Sequence, residues 1–284
     1  MALAPDEGVV ACFDGPIGSV RYRRFPCSGA ARGRVIGIHG IAEHGRRHAP
    51  FAHAVAHAGW EFAIADLRGH GGSAGRRGHI DDYQEYVGDL RAFAAHLAHA
   101  HPTAGPTIAY GHSMGGLILV RYLQDRPTDF AGVVLTAPLL QIAKHIPLWK
   151  RLAAWGLERV VPHLALPTDV VPEELSDDLE RNADFLADPE ILRAVTLGWF
   201  RATRRAIRAA HADPRPLACP LLVLHGAADP VTSAAASATF FVPPRAPHCD
   251  YVLLDGSRHE LLYDRGHEAA IARILTWLDA HAPS

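Results

Sequence analysis

The sequence predicts an α/β protein: a mostly parallel central sheet flanked by helices, with an inserted helical cap. Three observations lead there. Apolar runs of strand length alternate with segments of helical periodicity, the alternation fails across one proline-punctuated stretch, and it resumes afterwards. A chain of 284 residues that is 49% hydrophobic is long and apolar enough to bury the core this requires.

The strand-length runs begin at Arg34 (RVIGIHG), Glu61 (EFAIADLRGHG), Pro106 (PTIAYGHS), Gly132 (GVVLTAP), Cys219 (CPLLVLHG) and Asp250 (DYVLLDG). Their cores are continuous, as strands covered on both faces require. Helix faces lie between them: Phe51, Val55 and Ala58; then Tyr83, Tyr86, Val87, Leu90, Phe93, Ala94 and Leu97; and last Ile271, Ile274, Leu275 and Leu278. Strands alternating with helices pair in parallel through right-handed crossovers, and such sheets gather ligands at the carboxyl ends of their strands. From about Leu140 to Asp213, short helix-like pieces carry Trp149, Trp155, Leu157, Val160, Trp199 and Phe200. This predicts a helical cap (lid) over 140–213, inserted into a core formed by 1–139 and 214–284.

Charge and cysteine usage exclude several functions. Lys and Arg number 28 against 30 Asp and Glu, a formal charge of −2, so the chain lacks the basic excess of a nucleic-acid partner. Cys12, Cys27, Cys219 and Cys249 form no CxxC pair, which argues against a disulfide framework or thiolate zinc site and for a reducing cytoplasm. MALAPDEGVV has neither the charged nor the apolar part of an export signal, and the uncharged stretch from Ala92 to Val120 is broken by Pro102 and Pro106. Neither export nor a membrane span is expected. His53 and His57 have helical spacing but no glutamate between them, so a solvated helix face is expected there instead of a metal site.

The chemistry concentrates after the strands. GHSMG follows the run at Pro106 and precedes the helical Leu117, Ile118 and Val120. A serine at a sharp strand-to-helix turn is forced out of the sheet, and small residues two positions to either side let neighbouring backbone pass closely. Ser113 is the candidate nucleophile. A serine hydroxyl needs a histidine to take its proton and a carboxylate to hold that histidine in the right tautomer. His259 follows the strand ending near Leu254, and Asp229 follows the one ending near Leu224. The order Ser113, Asp229, His259 is the one a nucleophile elbow leads to expect. Asp255 competes as the acid but fits better as part of the DGS turn, and Glu260 reads as water-facing in preference to orienting the loop. Main-chain N–H groups of Ile41 and Met114 are positioned to meet a developing oxyanion, each donor contributing about 3 kcal/mol in the transition state. Asp66, Arg68 and His70 read as a scaffold turn beside the site.

HGIAEHGRRH, DLRGHGGSAGRRGHIDDYQEYVGDL, GHSMGG, HGAADPVT and GSRHELLYD together resemble the monoacylglycerol lipase and lysophospholipase branch of the serine α/β-hydrolases, over most of the chain. The resemblance implies the α/β-hydrolase fold, Ser113, Asp229 and His259 as triad, and Ile41 and Met114 as oxyanion donors. It further implies a fatty-acyl ester substrate, a monoacylglycerol or related lysolipid, with no metal or organic cofactor. Two residues depart from the pattern: Ala42, where glycine is usual, and His48, where tyrosine is common, both expected to bear on the acyl entrance. Substrate contacts are expected from Trp149, Trp155 and Trp199. Arg201, Arg204, Arg205 and Arg208 share one helical face, so Arg204 and Arg208 could hold a lysolipid phosphate, although a solvated face is the plainer reading. The cap is expected to meet membrane surfaces transiently. Small-ester hydrolysis and a non-catalytic receptor on the same scaffold are the competing readings.

Overall fold

The computed structural model describes residues 7–143, 156–168, 170–264 and 266–281. An antiparallel hairpin, β1 (Val9–Gly15) and β2 (Gly18–Phe25), opens the chain. Then follow β3 (Arg34–Ile38), α1 (Ala49–His57), β4 (Glu61–Ala65), α2 (Gln84–Ala100), β5 (Thr107–His112), α3 (Met114–Asp125) and β6 (Gly132–Thr136). Between β6 and β9 come helical residues 156–160, β7 (Ala165–Pro167), α4 (Pro172–Leu175), α5 (Leu179–Ala187), β8 (Ala194–Thr196) and α6 (Leu197–Ala212). The chain closes with β9 (Leu221–Gly226), α7 (Ala234–Phe240), β10 (Cys249–Leu254) and α8 (His267–Ala280).

Eight strands form one sheet in the order β1-β2-β4-β3-β5-β6-β9-β10. β2 runs antiparallel to both of its neighbours, and the pairings from β4 to β10 are parallel. This is the expected α/β-hydrolase sheet. Its strands are continuously apolar because successive residues enter different cores. In β9, Leu221 and Val223 join the cluster under α2, α3 and α6, whereas Leu222 and Leu224 join the one under α1 and α8. The expected faces of α2 and α8 are buried as read, through Tyr86, Leu90, Phe93 and Leu97 and through Ile274 and Leu278.

The β1–β2 hairpin and the β7–β8 pair were not legible as apolar runs. In β2, Val20 and Tyr22 are buried, but the residues between and after them are Arg21 and Arg23, whose charges meet Asp66. β7 and β8 are three residues each, too short to carry a period. Among the described residues, no helix is long and apolar enough to cross a membrane.

Candidate active site

Ser113 links β5 to α3 with φ 52° and ψ −112°, a conformation that strains an L-residue. Its surroundings fix it there. The Ser113 N–H donates to Thr136 O at 3.0 Å, and its carbonyl accepts from Gly116 and Leu139, each at 3.0 Å. The flanking glycines answer to close approaches: a Cβ on Gly111 would stand 2.8 Å from Gly115 O, and one on Gly115 would run into the Ile38 carbonyl at the end of β3. The helix therefore starts against the strand end that begins the HGIAEH loop.

Asp229 and His259 meet across the loops after β9 and β10. His259 Nδ1 lies 2.8 Å from Asp229 Oδ2, both side chains are buried, and the His259 ring is 4.8 Å from that of His112, the residue before Ser113. Asp229 Oδ1 accepts from the N–H groups of Val231 (2.7 Å) and Thr232 (3.0 Å), and Oδ2 accepts the Thr232 hydroxyl at 2.8 Å. Burial alone would raise the Asp229 carboxyl; His259, His225 and the Thr232 amide outweigh it and hold the group far below the ordinary range. For His259, burial disfavours the charged ring, yet Asp229 beside it raises its pKa above 6.5. Asp255, the competing acid, is exposed in its turn.

The loop after β3 is held by its own side chains, one bonded to the loop after β4 and one back to its own backbone. His39 Nε2 accepts from Leu67 N at 2.9 Å, and Glu43 accepts the Gly40 N–H in a short hydrogen bond. A Cβ on Gly40 would lie 3.2 Å from Ser113 Cβ, so this loop runs directly beside the serine. Ile41 N–H and Met114 N–H, the first amide of α3, have no protein acceptor among the described residues. Ala42 has φ 61°, which explains why glycine suits that position. It is buried against Leu175, Phe185 and Ile191, and His48 is buried with Nε2 3.2 Å from Glu43 Oε2. Ala42 thus sits where the loop meets the 140–213 segment, and His48 lies beneath the loop.

Glu260 corrects the sequence reading. It does not face water: its carboxylate is 5% exposed, accepts Arg181 Nε at 2.9 Å and meets Arg47 Nη2 at 3.3 Å. Glu43, His225 and Arg181 were not singled out at all, because nothing local in a sequence marks a charge or imidazole that will be buried. The turn holding Asp66, Arg68 and His70 is a scaffold as expected. Asp66 gathers Gly45 N (2.8 Å), Gly72 N (3.0 Å), Arg21 Nε (2.6 Å) and Arg23 Nη1 (3.3 Å). His53 departs in part from its solvated reading, being half-buried with its ring 5.1 Å from Phe25, while His57 is exposed.

Trp199 is buried in the larger core cluster beside Phe200, and Trp149 and Trp155 lie outside the described residues. Arg204 pairs with the buried Glu158, whose carbonyl also accepts from Arg201 at 3.3 Å; Arg205 and Arg208 are exposed. Among the described residues, no group of three or more His, Cys, Asp or Glu side chains is arranged to hold a metal ion.

Comparison with known proteins bears on the fold and the family. The chain matches the Hydrolase_4 family, described as serine aminopeptidase, S33, over residues 29–266. It is 29% identical to a monoacylglycerol lipase of Mycolicibacterium smegmatis, covering 88% of this chain and 89% of that one. It is 27% identical to the Bacillus subtilis phospholipase YtpA, over 82% of this chain and 90% of the relative. The crystal structure of the Paleococcus ferrophilus monoacylglycerol lipase superposes with a TM-score of 0.83 at 26% identity, covering 92% of this chain and 99% of that one. With an α/β-hydrolase sheet, a serine at its strand-to-helix turn and lipases among its relatives, the chain belongs to the Hydrolase_4 family and is a serine ester hydrolase of the lipase and esterase kind.

Proposed function

We propose that the protein cleaves fatty-acyl esters of glycerol, a monoacylglycerol above all, through an acyl-enzyme formed on Ser113. The observation that carries this reading is the 2.8 Å contact of His259 Nδ1 with Asp229, which leaves Nε2 as the ring nitrogen that takes up a proton. Ser113 Oγ attacks the ester carbonyl as its proton passes to His259 Nε2. The tetrahedral oxyanion forms against the N–H groups of Ile41 and Met114. The imidazolium then protonates the departing glycerol oxygen, leaving the acyl group on Ser113. A water, deprotonated by the same ring, attacks the acyl-enzyme, and the proton returns to Ser113 as the fatty acid leaves. Asp229, kept ionised by its donors, orients the ring and stabilises its cation.

Residues 140–213 act as the cap over this site and as its contact with lipid surfaces. Supporting that role, the described part of the segment exposes Val160, Leu179 and Leu186 at 79%, 80% and 60%, alongside the less exposed Leu157, Leu164 and Val171. Exposed large apolar side chains suit a lipid–water boundary. All four cysteines are free, as a reducing cytoplasm would keep them. The phospholipase relative favours a second reading, a lysophospholipid substrate; of the two arginines expected to hold its phosphate, Arg204 is paired with Glu158 and the exposed Arg208 is left to meet it. Ser113→Ala tests the chemistry: it should abolish ester turnover and labelling by a fluorophosphonate while leaving the fold intact. Labelling that persists would overturn the assignment. Comparing monoacylglycerols, lysophospholipids and p-nitrophenyl esters of graded chain length then ranks the substrates.

A further inference from the structure

We propose that Arg181, contributed by the inserted segment, is a positioning residue for His259: it grips Glu260, the next residue in the chain, and so fixes the loop that carries the base. The inference rests on the serine-esterase reading of Ser113 and His259. Arg181 sits in the first turn of α5, whose start is set by Asp178 accepting the Arg181 N–H at 3.0 Å. Its guanidinium engages three groups at once. Nε donates to Glu260 Oε2 at 2.9 Å, Nη2 donates to Arg47 O at 3.1 Å, and the plane covers the Tyr263 ring with its central carbon 3.8 Å from the centroid. A main-chain bond completes the clamp, Glu260 N–H to Leu175 O at 2.8 Å. A planar fork with several donors can do this, and an ammonium cannot.

The clamp also sets charges near the base. Facing His259 are Asp229 from the loop after β9, Glu43 from the loop after β3, His112 from β5 and Glu260 on its own loop. Facing Glu260 in turn are Arg181 from α5, Arg47 from the turn before α1, the like-charged Glu43 from the loop after β3, Tyr263 and His112. Burial would raise the Glu260 carboxyl, and the two arginines keep it lowered and ionised. With Glu260 ionised, the His259 cation is favoured; with Arg181 removed, Arg47 is left to oppose the burial of that carboxylate and the support for the cation weakens.

The test follows the pH dependence of fluorophosphonate labelling and of kcat/KM for a p-nitrophenyl ester, in the full-length protein and in Arg181→Gln, Arg181→Lys, Glu260→Gln and the double Gln variant. Glu260→Gln should move the acid-limb midpoint down by about 0.5 in pH, Arg181→Gln should move it the same way by less, and the double variant should go no lower than Glu260→Gln. Arg181→Lys should keep the midpoint. In both Arg181 variants kcat should fall about tenfold or more while KM stays within about twofold, because displacement of a reacting group by about 1 Å can cost about 100-fold. Midpoints that do not move, or a loss confined to KM, would overturn the role of Arg181. Glu260→Gln, almost the same shape as the natural residue, keeps the test decisive if the Arg181 variants fail to fold. Absence of labelling in the unmodified protein would instead overturn the esterase reading.

Discussion

His225 Nε2 lies 3.2 Å from Asp229 Oδ2, the same carboxylate oxygen that His259 Nδ1 approaches at 2.8 Å. His225 is on β9, fully buried, and shares the Thr232 hydroxyl with the acid at 3.2 Å. Asp229 is therefore surrounded by donors, and a proton on His259 has no tendency to move onto it. In the proposed mechanism the carboxylate would work by orientation and charge, without changing its own protonation state.

Asp229→Asn should lower kcat by about 10⁴ at neutral pH, since an amide at that position holds the imidazole in the wrong tautomer. Asp255→Asn, at an exposed turn, should stay close to the unmodified enzyme. Steady-state kinetics on one ester decides between them, and the reverse ranking would transfer the role to Asp255.

The pH profile has a defined sign. His259 must be neutral to accept the Ser113 proton, and Asp229 raises its pKa, so kcat/KM should fall on the acid side with a midpoint above 6.5. In Asp229→Asn, burial is left to disfavour the cation, and the residual activity should titrate at lower pH. An unchanged midpoint in that variant would separate Asp229 from the base.

Gly115→Ala tests the packing behind the elbow. Its methyl group would collide with the Ile38 carbonyl, a main-chain atom with no freedom to turn away. Overpacking of this kind costs about 1–3 kcal/mol, and here it also displaces the loop bearing Ile41. A lowered melting temperature with a fall in kcat larger than the stability loss explains is expected. Wild-type activity would show that the contact is relieved elsewhere.

Asp66→Asn should destabilise the fold by about 3–5 kcal/mol, because it leaves Arg21 and Arg23 without their common buried counter-charge. Burial raises the Asp66 carboxyl, but Arg21 and the Gly72 N–H, among others, bring it from 3.8 down to about 2. Its stabilising contribution is complete above 3.8 and disappears as pH falls through about 2. Denaturant midpoints measured against pH should show the unmodified protein and the variant converging in acid.

The order Ser113, Asp229, His259 was legible because each residue follows a recognisable strand, and the strands were legible because Val133, Val134 and Leu135 fill alternate cores without a polar gap. The β1–β2 hairpin escaped because Arg21 and Arg23 interrupt its apolar side chains, and only folding brings Asp66 to them. Glu260 was misread for the same reason. Its partners, Arg181 and Arg47, stand 79 and 213 positions away, so no window along the chain contains the pairs that let a carboxylate be buried.

The links between residues 173–181 and the loop of residues 258–264 bear on chimeras. Besides Arg181, Ser176 Oγ donates to Tyr263 O at 3.1 Å, Asp177 N–H donates to Asp264 at 2.9 Å, and Arg258 reaches Glu173 O at 2.5 Å. Farther along, Arg46 holds Asp188 at 2.8 Å and Arg21 holds Glu190 at 2.6 Å. Grafting a foreign stretch across all of 140–213, to borrow another enzyme's preference, would tear out the partners of the loop that carries His259. A seam placed before Pro172 leaves those partners in the chain, and the exchanged stretch must then supply a strand that pairs with β8 as β7 does.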